Sequence, residues 1–154
     1  MTSPQHERPI VVIEDSDEDY EVLEWALRQA GFRNPLHRCA NAADLALLTV
    51  RRDWPPLLKA TFPLLILMDL NLPGTEWRET LAELRGHLWW QTVPLMVIST
   101  SVQPASVATC YGMGAAGYLR KPLDLDACRE TMRTVAAYWL RTVVAPEPPD
   151  QEAP

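Results

Sequence analysis

The stretch LLILMDLNLPG, Leu64 to Gly74, decides how the rest of the chain is read. An apolar run ends in a carboxylate, Asp69, and is followed at once by the amide of Asn71 and the turn-forming pair Pro73-Gly74. Burying an ionised carboxylate is costly unless it is paired or coordinated. One reading is a strand end where Asp69 turns toward water. The other puts Asp69 at the C-terminal edge of a buried parallel strand, where open α/β sheets receive their ligands.

The flanking segments bear on that choice. PIVVIE (9–14) reads as a buried strand and DEDYEVLEWALRQAG (17–31) as a helix, with Tyr20, Leu23, Leu27 and Ala30 at helical spacing and Gly31 at its end. LHRCA (36–40) is a short strand, and Asn41 is placed to cap a helix over 42–53. Residues 52–63 contain three prolines and read as a loop before the strand that carries Asp69. Further on come a helix over 75–87 capped by Thr75, a strand over 94–100, a helix over 104–114 and a strand over 117–121. A long helix over 124–144 closes the pattern. Strands alternating with helices imply a parallel sheet covered on both faces and joined by right-handed crossovers. The expected fold is a five-stranded, doubly wound α/β sheet.

Bulk composition narrows the function classes. The 154 residues and 47% hydrophobic content suit one domain with a real core. Fourteen Lys and Arg against twenty Asp and Glu give a net charge of −6. The basic residues form no run, which argues against a nucleic-acid footprint. No apolar stretch approaches the roughly 20 residues of a membrane span, and the polar start lacks the core of a signal peptide. Three scattered cysteines without CxxC spacing suit reduced thiols, so a cytoplasmic protein is expected. Three dispersed histidines make a zinc site improbable. The organisation expected is a polar segment over 1–8, one domain over 9–144, and a disordered Pro-rich acidic tail over 145–154.

In a parallel sheet the C-terminal strand ends share one edge. That brings Glu14 and Asp15 after the first strand toward Asp69 of the third, with Ser99-Thr100 and Lys121-Pro122 beside them. Each acid alone reads equally as a solvated loop residue. Three converging acids, however, repel one another unless a cation neutralises them, and hard oxygen donors suit Mg²⁺.

With those residues in place, the chain resembles a response-regulator receiver domain over residues 9 to about 140. The resemblance rests on Glu14-Asp15, Asp69 in LMDLNLP, Ser99 after PLMVI, and Lys121-Pro122 after AGYLR. It is similar in particular to small receivers that partner bacterial phytochrome-type histidine kinases, through the LNLP segment, the Pro-containing loop and Tyr138-Trp139-Leu140 near the end of the last helix. The family's sheet order is 2-1-3-4-5. The resemblance implies that Asp69 accepts a phosphoryl group from a sensor histidine kinase. It further implies Mg²⁺ held by Asp15, Asp69, the Asn71 carbonyl and, through water, Glu14. Lys121 and Ser99 would contact the phosphoryl group, Tyr118 would change rotamer as the hydroxyl moves, and the bond before Pro122 would be cis.

Three departures stand out. Trp77 occupies a common glycine position, Thr100 replaces a small residue, and EDSDED carries extra acids at Asp17 and Asp19. An unphosphorylated docking receiver is one alternative, and a haloacid-dehalogenase-like phosphohydrolase using Asp15-x-Asp17 is another. Finally, the last helix exceeds what is needed to cover a sheet. Trp139, Leu140 and Val143 in that excess are expected to form a homodimer contact, unless the extra turns fold back on the same domain.

Overall fold

The computed structural model describes residues 5–41, 43–44, 62–71 and 77–149. Five strands, β1 (Ile10–Ile13), β2 (Leu36–Cys39), β3 (Leu65–Asp69), β4 (Leu95–Ser99) and β5 (Gly117–Arg120), form one sheet in the order β2-β1-β3-β4-β5. Every neighbouring pair is parallel. Strands buried on both faces read as continuous apolar runs, which is why IVVI and LILM lack alternation.

The helices are α1 (Asp17–Gln29), α2 (Trp77–Gly86), α3 (Pro104–Gly112) and α4 (Leu125–Ala136). The helix expected over 42–53 falls mostly outside the described residues, as do Thr75 and the Pro73-Gly74 turn. Its expected cap is visible: the Asp44 amide donates to Asn41 Oδ1 at 2.8 Å, and the Ala40 amide donates to Asp44 Oδ2 at 2.9 Å. The pair resembles a capping box, except that the returning bond comes from Ala40, one residue before the cap. Gly31, at φ 101°, ends α1 in a left-handed turn that lets the Phe32 amide bond back to the Leu27 carbonyl.

Side-chain alternation splits the core into two layers. Val11, Ile13, Ile66, Met68, Leu95 and Val97 face α2, α3 and the buried Trp89-Trp90 pair. Ile10, Val12, Leu65, Leu67 and Ile98 face α1 and α4. Both layers are built of buried apolar side chains, and the sheet between them carries the strand ends on one edge.

The last helix departs from expectation. α4 passes at Ala137 into a π-helical turn over Ala137–Thr142, and Val143 is extended. Trp139 is only 6% exposed and packs on the α1/α4 core, with Leu140 and Val143 against the same cluster. Its indole Nε1 donates to Met96 Sδ at 3.0 Å, and its carbonyl accepts from Gln5. Of the residues expected to form a dimer contact, Trp139 is therefore committed to the domain's own core, while Leu140 and Val143 are only partly buried against it. Tyr138 and Val144 remain exposed. The reason is a ready partner: the layer over Met96 needs a large side chain, and the N-terminal segment supplies polar anchors.

Those anchors also change both ends of the domain. Arg8 is buried, donating to the carbonyls of Phe62 (3.0 Å), Pro63 (2.8 Å) and Pro146 (2.9 Å). The Ala145 amide donates to Gln5 Oε1 at 2.7 Å, and Ala145 is buried. Thus Gln5 and Arg8 before β1 are hydrogen-bonded to Ala145 and Pro146 beyond the last helix.

Trp139→Ala is expected to lower the unfolding free energy by about 3–5 kcal/mol, the usual cost of deleting a buried aromatic side chain. Urea melts measure it. A variant of undiminished stability that dissociates from dimer to monomer on sedimentation would make Trp139 an interface residue instead.

Candidate functional site

Asp69 ends β3 at the middle of the sheet, and its side chain is 2% exposed. It is not turned toward water. Its Oδ1 accepts from the Asn71 amide at 2.7 Å, and its Oδ2 receives Lys121 Nζ at 2.7 Å. Lys121 follows the edge strand β5, and its own amide donates to the Ser99 carbonyl at 2.7 Å, which pins the segment to β4. The ammonium then reaches over β4, making further contacts with Asp19 Oδ2 at 2.7 Å and Glu14 Oε2 at 3.4 Å. All of this is done with a trans bond before Pro122, since no described peptide bond is cis. The cis expectation is corrected: the register of β5 already aims Lys121 into the cleft.

The acids that converge are Glu14, Asp19 and Asp69, whose ligand atoms lie within 4.8 Å of one another. Asp15 is not among them. The difference comes from how α1 starts. Ser16 caps it, accepting from the Asp19 amide at 3.2 Å, and that first turn carries Asp19 back over the sheet edge to Lys121. The Asp15 carbonyl instead meets Arg38 on the β2 side, at 3.1 Å. Asp19 had shown itself only as an extra acid in EDSDED. The signal that could have found it is the Ser16-x-x-Asp19 spacing, which fixes the phase of the first helical turn.

Of the expected set, Glu14, Asn71 and Lys121 line a cleft of about 590 Å³, together with Asp19, Thr100 and Cys128, while Asp15, Ser99 and Tyr118 are not among its lining residues. Asn71 Nδ2 approaches Thr100 Oγ1 at 3.4 Å. Ser99 is buried, with its hydroxyl accepting from the Ser101 amide at 3.1 Å. Tyr118 is half-buried and donates to the Ser101 carbonyl at 2.6 Å. Trp77 opens α2 and packs against the α2/α3 core, with Arg78 stacked on its ring at 4.3 Å.

Electrostatics separate the two buried carboxyls. Burial, then a hydrogen bond with Asp69 and the charge of Asp69, pushes the Glu14 carboxyl up to about 8. Burial acts the same way on Asp69, but hydrogen bonds from Glu14, Lys121 and the Asn71 amide outweigh it and hold Asp69 below its ordinary value. Burial opposes the charge on Lys121, yet its bonds to Asp19 and Asp69 and the surrounding negative charge raise it. Without a cation, the cleft thus favours the ionised form of Asp69 and the protonated form of Glu14. Three carboxyl groups so close, with an amide carbonyl at Asn71 nearby, form the hard oxygen set that suits a divalent cation such as Mg²⁺ or Mn²⁺.

Comparison with known proteins agrees with this geometry. The family described as response regulator receiver domain matches residues 10–133. Response regulator Rcp1 of Synechocystis is 28% identical over 138 residues, spanning 89% of this chain and 92% of its own length. Its Mn²⁺-bound crystal structure superposes with a TM-score of 0.75 over 90% of this chain and 98% of that one. The bacteriophytochrome response regulator RtBRR, 26% identical, superposes with a TM-score of 0.67 over 92% of this chain and 84% of its own. The chain belongs to the response regulator receiver family, and it is a signalling phosphoacceptor rather than a hydrolase. Asp17, which the hydrolase alternative needed in the site, is exposed and paired with Arg38 instead. Among the described residues no helix is long and apolar enough to cross a membrane.

The Glu14 shift has a consequence for stability. Its folded value, about 8, lies above the unfolded 4.5, so the folded protein holds the proton more tightly. The resulting stabilisation is fully present below the unfolded value and is lost as pH rises through about 8. Asp69 acts oppositely, its contribution being lost as pH falls through its depressed value. Between pH 5 and 8 in EDTA, the urea midpoint is expected to fall with rising pH, and Glu14→Gln is expected to flatten that slope. A slope unchanged in the variant would put the proton elsewhere.

Proposed function

We propose that the protein is a phosphorylation switch in two-component signalling, in which Asp69 takes a phosphoryl group from the phosphohistidine of a sensor histidine kinase. The observation that carries this reading is the state of Asp69: buried at the centre of the strand-end edge, ionised, with one oxygen on Lys121 and the other on the Asn71 amide. A carboxylate oxygen attacks phosphorus, the P–N bond breaks, and the imidazole leaves with the bonding electrons to be protonated.

Glu14 and Asp69, the Asn71 carbonyl and one further acid of the β1–α1 loop would hold Mg²⁺. That acid is Asp15 by resemblance and Asp19 by geometry. A cation held there would supply charge neutralisation for the transferring oxygens. Lys121 would add a point charge on one of those oxygens, and by resemblance the Ser99 hydroxyl would donate to another. Tyr118 follows as the switch residue, because its partner Ser101 is itself held by Ser99.

The kinase is proposed to be phytochrome-type, supported by the likeness to the bacteriophytochrome regulator. Support for a protein donor comes from the cleft rim, where Val22, Leu123 and Leu125 are exposed apolar side chains beside a charged site. Output would leave by protein–protein contact.

Incubation with acetyl phosphate and Mg²⁺, followed by intact mass and peptide mapping, tests the reading. A single acyl phosphate on Asp69 is expected, absent in Asp69→Asn and in EDTA. Label at wild-type level in Asp69→Asn, or mapped to Asp15, would overturn it. In the same assay, Asp15→Asn and Asp19→Asn identify the third acid, since the variant that lacks a ligand needs more Mg²⁺ for half-maximal labelling.

A further inference from the structure

Arg38 has no part in the proposed phosphoryl transfer, yet its guanidinium is fully committed. It lies on the edge strand β2 opposite Val12 in the register, so its side chain rises on the α1 side of the sheet. Nε donates to the Glu14 carbonyl at 3.0 Å, and Nη2 donates to the Asp15 carbonyl at 3.1 Å. Nη1 meets Asp17 Oδ1 at 2.6 Å, and the guanidinium carbon stacks 4.9 Å from the Tyr20 ring centroid. All three nitrogens thus grip one stretch of chain, and Tyr20 of α1 fixes the plane of the grip. The flat guanidinium presents its donors in a fixed fork, a geometry that the point charge of a lysine on its flexible stem does not reproduce.

The stretch it grips is the one that most needs holding. Residues 14–19 read EDSDED, five acids in six positions, and like charges at this density push a loop outward. Lys121 pulls from the cleft side through Glu14 and Asp19. Arg38 pulls from the opposite side, by backbone carbonyls rather than by the carboxyls facing the cleft. We propose that Arg38 is a positioning residue: it presets the β1–α1 loop so that the acids already face the cleft, and thereby tightens binding of the divalent cation. It touches neither the cation's donor atoms nor Asp69. This inference rests on the cation-dependent reading above.

A rival role makes the opposite prediction. A positive charge beside a cation site weakens binding through space, so a mere counter-charge would give tighter Mg²⁺ binding on removal. Positioning gives weaker binding on removal, and it requires the fork as well as the charge. Calorimetric titration of the full chain with Mg²⁺ at fixed ionic strength separates the two, for wild type, Arg38→Gln and Arg38→Lys. Urea melts in EDTA check that each variant is folded. About a tenfold loss of affinity is expected in Arg38→Gln, at the low end for a residue supporting a metal site from outside its ligand set. Arg38→Lys is expected to recover little of it. Wild-type affinity in Arg38→Lys, or unchanged or tighter binding in Arg38→Gln, overturns the positioning role while leaving the switch reading intact. Should Arg38→Gln fail to fold, Arg38→Lys alone decides, because only positioning predicts a loss at constant charge. A wild type that binds no Mg²⁺ overturns the switch reading, and this inference with it.

Discussion

Asp69 is a charge placed at the end of a buried strand, and Lys121 is what makes that placement tolerable. The two sit on strands separated by β4, so the pair forms only if the sheet runs β3-β4-β5 in register. Asp69 stands opposite Ile98, and Ser99 stands opposite Arg120, so Lys121 emerges one step beyond the edge, level with the cleft. Removing one partner of a buried pair leaves the other uncompensated, typically at a cost of about 3–5 kcal/mol. The sheet order and the site are therefore one constraint: the topology that stabilises the core also brings its most expensive charge to the cation that balances it.

Much of this was legible in the chain before any geometry. Unbroken apolar runs ending in polar residues identify strands buried on both faces, and the alternation with helical segments leaves few topologies besides an open parallel sheet. Because all strand ends then share an edge, Asp69, Glu14, Ser99 and Lys121 had to converge. What was not legible depends on rotation and on choice of partner. Whether Asp15 or Asp19 joins the cluster depends on the phase of the first turn of α1, set by the Ser16 cap, and a residue count along a loop carries no phase. Periodicity likewise marks Trp139 as lying on an apolar face without saying whose surface covers that face. Here Met96 and the N-terminal Gln5 claim it.

Both ends of the chain show the same principle at work on polar groups. Arg8 is buried by a network of carbonyls contributed by the segment before β3 and by Pro146. A buried guanidinium is tolerated when its donors are satisfied, and these acceptors come from segments far apart in sequence. Arg38 repeats the device at the other end of the sheet. Two arginines thus use backbone carbonyls to fix irregular chain, while lysine, a compact and flexible charge, is the residue kept for the cleft.

The hydrogen bonds leading away from the cleft explain how a change at Asp69 could be felt at a distance. Ser99 Oγ is bound to the Ser101 amide, the Ser101 carbonyl to the Tyr118 hydroxyl, and the Tyr118 amide to the Tyr111 hydroxyl of α3. In the proposed switch, drawing the Ser99 hydroxyl toward a new anion on Asp69 would cost its bond to Ser101. Ser101 then has less reason to stay where Tyr118 can reach it. The last link is an exposed phenol bonded to an edge-strand amide, the weakest member of the series, so α3 and the outer side of β5 are where such a rearrangement meets least resistance. The layers beneath, by contrast, are closed by Trp90, Met132 and Trp139, and a packed core yields in discrete steps or not at all.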